Sequence, residues 1–252
     1  MGKNKLQKFA EMKTFDHVFQ YPFARLQEEG SFPLRGQWSD FFGNGNPLVL
    51  ELGCGRGEYT VALSKLYPDK NFIGIDIKGA RMWAGAKQAR QEGRTNTAFL
   101  RTSIELIDRF FAPDEVSEIW ITFPDPQMKK VRKRLTSCRF LTLYQQILKP
   151  GGLIHLKTDS PFLYTYTHAL IEANRLEAVQ DTDDLYHCGW ADEVLSIKTY
   201  YEMQWIDRGK TIKYIQFHLP AGRTFTEPDI DIPEDDYRSF NRSRRSQQNP
   251  TV

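Results

Sequence analysis

Cysteine is scarce in this chain: Cys54, Cys138 and Cys188 are the only three among 252 residues. An odd number, widely spaced and without a C-x-x-C pair, excludes a disulfide framework and a zinc site. His155, His168, His187 and His218 bring no metal-ligand spacing, so no metal is expected. Long apolar runs are missing as well. No window approaches the roughly 18 uninterrupted apolar residues of a membrane span, and the opening MGKNKLQKFAEMK carries charges where a signal peptide needs an apolar stretch. A soluble, cytoplasmic protein with no membrane partner is the expectation. Nor is there an excess of one charge, since the net value is only +2. Hydrophobic residues nevertheless make up 40%, enough for the core of one α/β domain or two small ones.

Residues Leu48 to Gly57 read LVLELGCGRG: an apolar run, the carboxylate Glu51, glycines at Gly53, Gly55 and Gly57, then helical spacing from Glu58 to Leu66. A strand, a tight turn and a helix follow from this. Glycine is required where backbone takes positive φ or passes close to a ligand. About 20 residues later a second short strand, NFIGI, ends in Asp76, placed to accept hydrogen bonds from ribose hydroxyls. Dinucleotide sites show G-x-G-x-x-G with a helix N-terminus facing a pyrophosphate, whereas the spacing here is G-x-G-x-G after a carboxylate. That suits an ammonium group better than a diphosphate and favours S-adenosylmethionine as cofactor. The competing reading is a glycine turn that only lets a helix pack on a strand.

Strands are expected at Leu48 to Glu51, Phe72 to Ile75, Ala98 to Arg101, Ile119 to Phe123 and Leu153 to Lys157. Helices fall around Tyr59 to Leu66, Ala80 to Glu92, Ile104 to Phe110 and Phe140 to Leu148, the last stopped by Pro150, Gly151 and Gly152. Such alternation implies an α/β fold with a doubly wound, mostly parallel sheet, which binds ligands outside the carboxyl ends of its strands. Glu51, Asp76, Thr102 with Ser103, Asp125 and Asp159 all lie at such ends. Residues 1–46, rich in Phe, Gly and Pro, read as an arm wrapped on a domain of residues 47–220, and residues 221–252 as a charged tail. Thr211 to Leu219 alternates like a strand that closes the sheet. Tyr200, Tyr201 and Trp205 have the spacing of one helix face and read mainly as core packing.

Phe123, Pro124, Asp125 and Pro126 form a stiff turn, because each proline fixes its own φ and restricts its predecessor. Asp125 either caps this turn or serves an acceptor pocket. Directly after it, Lys129, Lys130, Arg132, Lys133 and Arg134 appear with no acidic residue between them. They are a solvated face or a phosphate-binding cluster. The tail repeats the ambiguity: Glu227 to Asp236 carries six carboxylates, and Arg238 to Arg245 four arginines.

Taken in order, LELGCGRGE, IGIDI, FPDP with its basic stretch, RFL..Y..ILKPGG, LKTD and TYYE resemble the bacterial tRNA (guanine-N7)-methyltransferases over residues 48–219. The resemblance implies the Rossmann-like fold of class I S-adenosylmethionine-dependent methyltransferases, and a guanosine in the tRNA variable loop as target. It implies that Glu51 and Asp76, with Gly53 and Gly55, bind the methionine and ribose portions of the cofactor, and that Asp125 is the active-site aspartate. Lys129 and Asp159 become substrate contacts, and Thr199, Tyr200, Tyr201 and Glu202 a second substrate-binding segment; the enzyme is expected to be a monomer or homodimer. Three departures stand out: Thr102 and Ser103 replace an aspartate near the adenine, Gln127 and Met128 replace a tryptophan after FPDP, and Asp76 replaces a common glutamate. Guanine N7 has an in-plane lone pair and no proton, so Asp125 is expected to position rather than abstract. Rival readings are a methyltransferase for another base position, for which [ND]-P-P-[FYW] is the usual signature, a silent RNA-binding protein of the same fold, and a nicotinamide-dependent oxidoreductase.

Overall fold

The computed structural model describes residues 2–235. Asp236 and the arginines from Arg238 to Arg245 lie outside the described residues. The first 46 residues are more than irregular chain: they hold α1 (Gly2–Met12), β1 (Val18–Gln20), α2 (Phe23–Glu29) and α3 (Trp38–Phe42). Then come β2 (Leu48–Leu52), α4 (Glu58–Leu66), β3 (Asn71–Ile75), α5 (Gly79–Gln91), β4 (Thr97–Arg101) and β5 (Val116–Thr122). The remainder is α6 (Cys138–Tyr144), β6 (Leu148–Thr158), α7 (Pro161–Ala173), β7 (Ala178–Thr182), α8 (Tyr200–Ile206) and β8 (Lys213–Leu219). None of the described helices is long and apolar enough to cross a membrane.

The strands form one eight-stranded sheet in the order β1-β4-β3-β2-β5-β6-β8-β7, parallel except where β8 runs antiparallel to β6 and β7. This is the class I methyltransferase type of doubly wound sheet, lengthened at one edge by β1, which pairs with β4. Central strands covered by helices on both faces need apolar residues in both directions. In β2, Leu48, Leu50 and Leu52 enter a core with Trp38, Phe110, Ile121 and Leu156, while Val49 faces Tyr59, Phe72, Trp120 and Tyr214 on the other side.

Some sequence expectations shift. The segment after β4 is a 3-10 helix over Ile104–Arg109. The expected helix from Phe140 to Leu148 begins two residues earlier and ends at Tyr144, because Leu148 already pairs with Val116 as part of β6. Pro150, Gly151 and Gly152 therefore lie inside that strand's assigned span rather than after a helix. β8 sits between β6 and β7, so β7, not β8, is the outermost strand on that side.

The strand order reverses between β2 and β5. Crevices at such switch points are where open α/β sheets bind ligands.

Candidate functional site

At the carboxyl end of β2 the chain turns through Gly53, Gly55 and Gly57, with φ of 77°, 54° and 73°. Gly57 serves packing: a Cβ there would stand 2.6 Å from the Phe99 ring and 3.2 Å from Cα of Gly85 on α5. Gly53 serves differently, since a Cβ on it would meet nothing within 4 Å. Its left-handed backbone opens onto free space.

Asp76 fastens this loop. Its Oδ2 accepts from the Gly55 N–H at 2.9 Å and its Oδ1 from the Lys78 N–H at 2.7 Å, joining the end of β3 to the glycine turn and to the start of α5. Next to it Ile77 is 60% exposed, an apolar side chain beside a polar turn. Across the crevice Thr102, after β4, is buried with its Oγ1 unpartnered, and Ser103 is half-buried.

Glu51 bridges the switch point. One carboxylate oxygen accepts from Thr122 Oγ1 at the end of β5, 2.6 Å away, and the other from the Thr60 N–H at 2.8 Å and from Thr60 Oγ1. Gly74 in β3 makes this possible, because a Cβ there would lie 2.7 Å from Thr60 Oγ1. Burial outweighs these three donors and pushes the Glu51 carboxyl up to about 7.

On the other side of the switch point, β5 ends in Thr122 beside Lys157 of β6, and the Phe123 N–H donates to the Lys157 carbonyl at 2.8 Å. Phe123 and Gln127 take φ of 49° and 48°, a left-handed conformation that costs a non-glycine residue about 1–2 kcal/mol each. Between them Asp125 is exposed, and its Oδ1 accepts from the Gln127 N–H at 3.1 Å. The turn cap foreseen for Asp125 is thus present, and the carboxylate still reaches solvent. Lys129, Lys130, Arg132 and Lys133 are exposed beside this turn. Arg134 is not: it is buried, donates to the Gln127 and Met128 carbonyls, and lies over the Phe162 and Tyr166 rings. It holds the loop in shape and has to be removed from the surface cluster.

Asp159, after β6, is 1% exposed, and neither carboxylate oxygen has a hydrogen-bond partner among the described residues. Burial raises it to about 6. Ser160 beside it caps α7 by accepting from the Leu163 N–H and donates to Asp235, whose backbone N–H reaches Met128 Sδ at 3.2 Å. Residues 220–235 thus return from β8 along α6 and α7, anchored by Glu227 on the Cys138 N–H and on the Tyr166 hydroxyl, and end at this pocket.

The segment Thr199 to Glu202 divides. Thr199 and Glu202 form a capping box on α8, and Glu202 is fully buried against Lys157 at 2.9 Å. Neither presents a surface to a substrate. Tyr200 and Tyr201 do: the Tyr200 N–H donates to Glu58 just after the glycine turn, Arg56 stands over the Tyr200 ring at 5.0 Å, and Arg81 over Tyr201 at 5.5 Å. Of the aromatic set read as core packing, only Trp205 is buried.

Glu51, Asp76, Thr102, Asp125 and Asp159 thus lie at or just after the ends of neighbouring strands, at one end of one sheet. A sequence profile for a family described as "Putative methyltransferase" matches residues 45–215. The chain is 67% identical to a Porphyromonas gingivalis protein named tRNA (guanine-N(7)-)-methyltransferase, over 95% of this chain and all of that one. A protein of the same name from Bacteroides thetaiotaomicron is 60% identical over 98% of both chains. The chain belongs to the tRNA (guanine-N(7)-)-methyltransferase family. Among solved structures, the 16S rRNA methyltransferase KamB shares the fold at a TM-score of 0.55 and 14% identity, over 73% of this chain and 93% of that one. The 16S rRNA (adenine(1408)-N(1))-methyltransferase from Catenulisporales acidiphilia does so at 0.52 and 14%, over 75% and 94%.

Several residues of this family member escape a reading of the sequence alone. Thr60 and Thr122 meet Glu51 only in the folded chain, and Gly74 in the middle of a strand was the available signal of a close approach. The unpaired Thr102 Oγ1, the exposed Ile77 and the open face of Gly53 fit a nucleoside, with an apolar wall for the base and a carboxylate for the ribose. Asp76→Ala removes that carboxylate and two of the loop's anchors together. Cofactor affinity should fall by about 1.5–3 kcal/mol, or about 10- to 150-fold in Kd, with tRNA affinity nearly unchanged. Calorimetry with S-adenosylmethionine checks this, and an unaltered Kd would take Asp76 out of the site.

Proposed function

We infer that this protein transfers the methyl group of S-adenosylmethionine to N7 of a guanosine in tRNA, the target lying in the variable loop. The observation that carries the reading is Asp159: a buried carboxylate beside the FPDP turn with both oxygens lacking a hydrogen-bond partner. Buried acceptors of that kind are costly unless a ligand supplies donors. The guanine edge supplies two, N1–H and the 2-amino group, in a geometry that one carboxylate accepts side by side. Adenine would bring a lone pair to the same place. With Asp159 on that edge, the imidazole edge of the base turns toward the switch point and the glycine loop.

S-adenosylmethionine supplies a methyl group already activated on a sulfonium. The chain is left to orient and to exclude. Glu51 and Asp76 suit the ammonium and ribose ends, and Thr102 with Ser103 the adenine. Asp125, at the rim between the two pockets, suits the positive charge that the guanine imidazole ring gains as the methyl arrives. No proton leaves N7, so no general base is needed, and holding the reactants in line is the main contribution. Lys129, Lys130, Arg132 and Lys133 lie where flanking phosphates would enter.

The deciding experiment incubates the purified protein with methyl-labelled S-adenosylmethionine and unmodified tRNA and analyses the nucleosides. Label in 7-methylguanosine from the variable loop is the expected result. Label in another nucleoside would overturn the acceptor assignment, and no label would leave a silent RNA-binding protein.

A further inference from the structure

The helix α1 lies outside the stretch matched by the family profile, which begins at residue 45. Its sequence, GKNKLQKFAEM, is arranged against its own stability: no acidic residue stands in the first turn and no basic one in the last, while Lys3 and Lys5 stand near its start and Lys8 follows. Positive charge near a helix N-terminus opposes the macrodipole. Another interaction has to account for those lysines.

α1 docks on α5 through its apolar side. Phe9 comes so close to Gly79 that a Cβ there would be 2.7 Å from the ring, and Met12 and Phe15 pack with Met82 and Ala86. At the far end Arg90 reaches Thr14 at 3.4 Å. Phe9 therefore stands at the start of α5, just after Asp76 and Ile77, and the chain from Met12 to Thr14 follows α5 toward its far end. α5 itself contains no acidic residue, and its 13 residues give the paired helices a face of about 20 Å.

The charge on this face is compensated only in part. Glu11 is the one acid of α1, and it is taken by Lys87 at 3.1 Å and by the Trp83 indole N–H at 2.7 Å. Lys8 and Lys87 both lie over the Trp83 ring, 4.5 and 4.8 Å from its centroid. Lys5 and Arg101 lie over Phe9, and Arg90 over Phe15. Among the described residues no carboxylate pairs with Lys5, Lys8, Arg81, Arg90 or Arg101. Cations held over rings rather than by acids keep their charge available to an outside anion.

We propose that the α1–α5 face is a second tRNA contact, which takes the phosphate backbone of a base-paired arm while the target guanosine occupies the pocket at the sheet's carboxyl end. This rests on the reading of the protein as a tRNA methyltransferase. A membrane surface is the poorer partner, because Phe9 and Met12 of α1 already pack on α5 and Leu6 alone among the helix's large apolar residues is exposed.

The test uses the full chain carrying Lys5→Gln, Lys8→Gln and Arg90→Gln together, assayed on whole tRNA and on a short hairpin that contains only the target loop. KM for whole tRNA should rise about 5- to 50-fold. The slope of log(kcat/KM) against log salt should flatten by about 0.7–0.9 for each phosphate that no longer meets a cation. The kcat at saturation, cofactor Kd, Tm and KM for the hairpin should stay put, and Lys5→Arg, Lys8→Arg and Arg90→Lys should restore whole-tRNA KM. An unmoved KM and slope for whole tRNA would reduce the face to solvated surface. Equal impairment on tRNA and hairpin would assign the residues to the pocket instead, and overturn the proposal. Failure of the underlying reading looks different: the wild-type protein itself would put no methyl into tRNA.

Discussion

Asp125→Asn should lower the methyl-transfer rate by about 10- to 1000-fold, the scale of losing one strong electrostatic interaction in a transition state. The substitution keeps the shape of the side chain and an oxygen that can still accept from the Gln127 N–H, so the turn, already held by Pro124 and Pro126, should persist. What disappears is the negative charge that the proposed mechanism sets against the charge developing on the guanine ring. Single-turnover kinetics at saturating tRNA and cofactor isolates that step, and the cofactor Kd should change little. A solvent isotope effect near unity should accompany both wild type and variant, because no proton is in flight when N7 attacks. A large solvent isotope effect in the wild type would instead make Asp125 a base. Full activity in the Asn variant would leave FPDP as architecture.

The second large effect concerns a residue that touches no substrate. Lys157 ends in a fully buried ammonium with four oxygen partners: the Leu195 and Ile197 carbonyls at 2.8 Å each, the Tyr186 hydroxyl at 3.3 Å and Glu202 at 2.9 Å. Burial depresses its pKa while Glu202 opposes the shift. Tyr186 also donates to Glu202, whose other oxygen accepts from the Thr199 N–H. Lys157→Met leaves Glu202 buried without its counter-charge, and stability should fall by about 3–5 kcal/mol, measured by denaturant titration. Lys157→Met with Glu202→Gln removes the charge, keeps one amide oxygen to accept from the Thr199 N–H and turns the amide NH2 to donate to the Tyr186 hydroxyl, and should recover more than half of that loss. If the double variant is no better than the single one, the cost lies in the Leu195 and Ile197 carbonyls left without a donor and not in the stranded carboxylate.

Much of the fold was legible because the central strands are buried on both faces and therefore read as apolar runs. LVLEL and NFIGI end at the carboxylate or glycine that follows them, and the alternation of such runs with helical spacing predicts the parallel order. Glu51, Asp76, Thr102, Asp125 and Asp159 come together at one end of the sheet for that reason alone. What sequence could not supply was side-chain environment. A run of charges does not reveal that Arg134 folds under two aromatic rings while its neighbours stay in water. TYYE does not reveal that its glutamate is consumed by a lysine from another strand, although a lone lysine in the apolar strand LIHLKT was a hint that a buried partner must exist. The extent of β6 was missed because Pro150 and two glycines, ordinary helix stops, here sit inside a strand, and the chain after Leu219 carries no periodic signal that would bring Asp235 to Ser160.

Glu51 has a consequence for the order of events on the enzyme. With burial pushing its carboxyl up to about 7, this group titrates within reach of neutral pH. The sign is that of a raised acid: the fold gains most from it below about 4.5 and loses that gain as pH climbs through about 7. An ammonium arriving there, as proposed above, would favour the charged form and drive off the proton. Donor and spent product carry the same ammonium, however, and in the proposed role Glu51 would hold both alike. Such even-handed binding fills the crevice without hastening transfer. In that reading donor and product are told apart by the two features they do not share, the methyl group and the positive charge on sulfur.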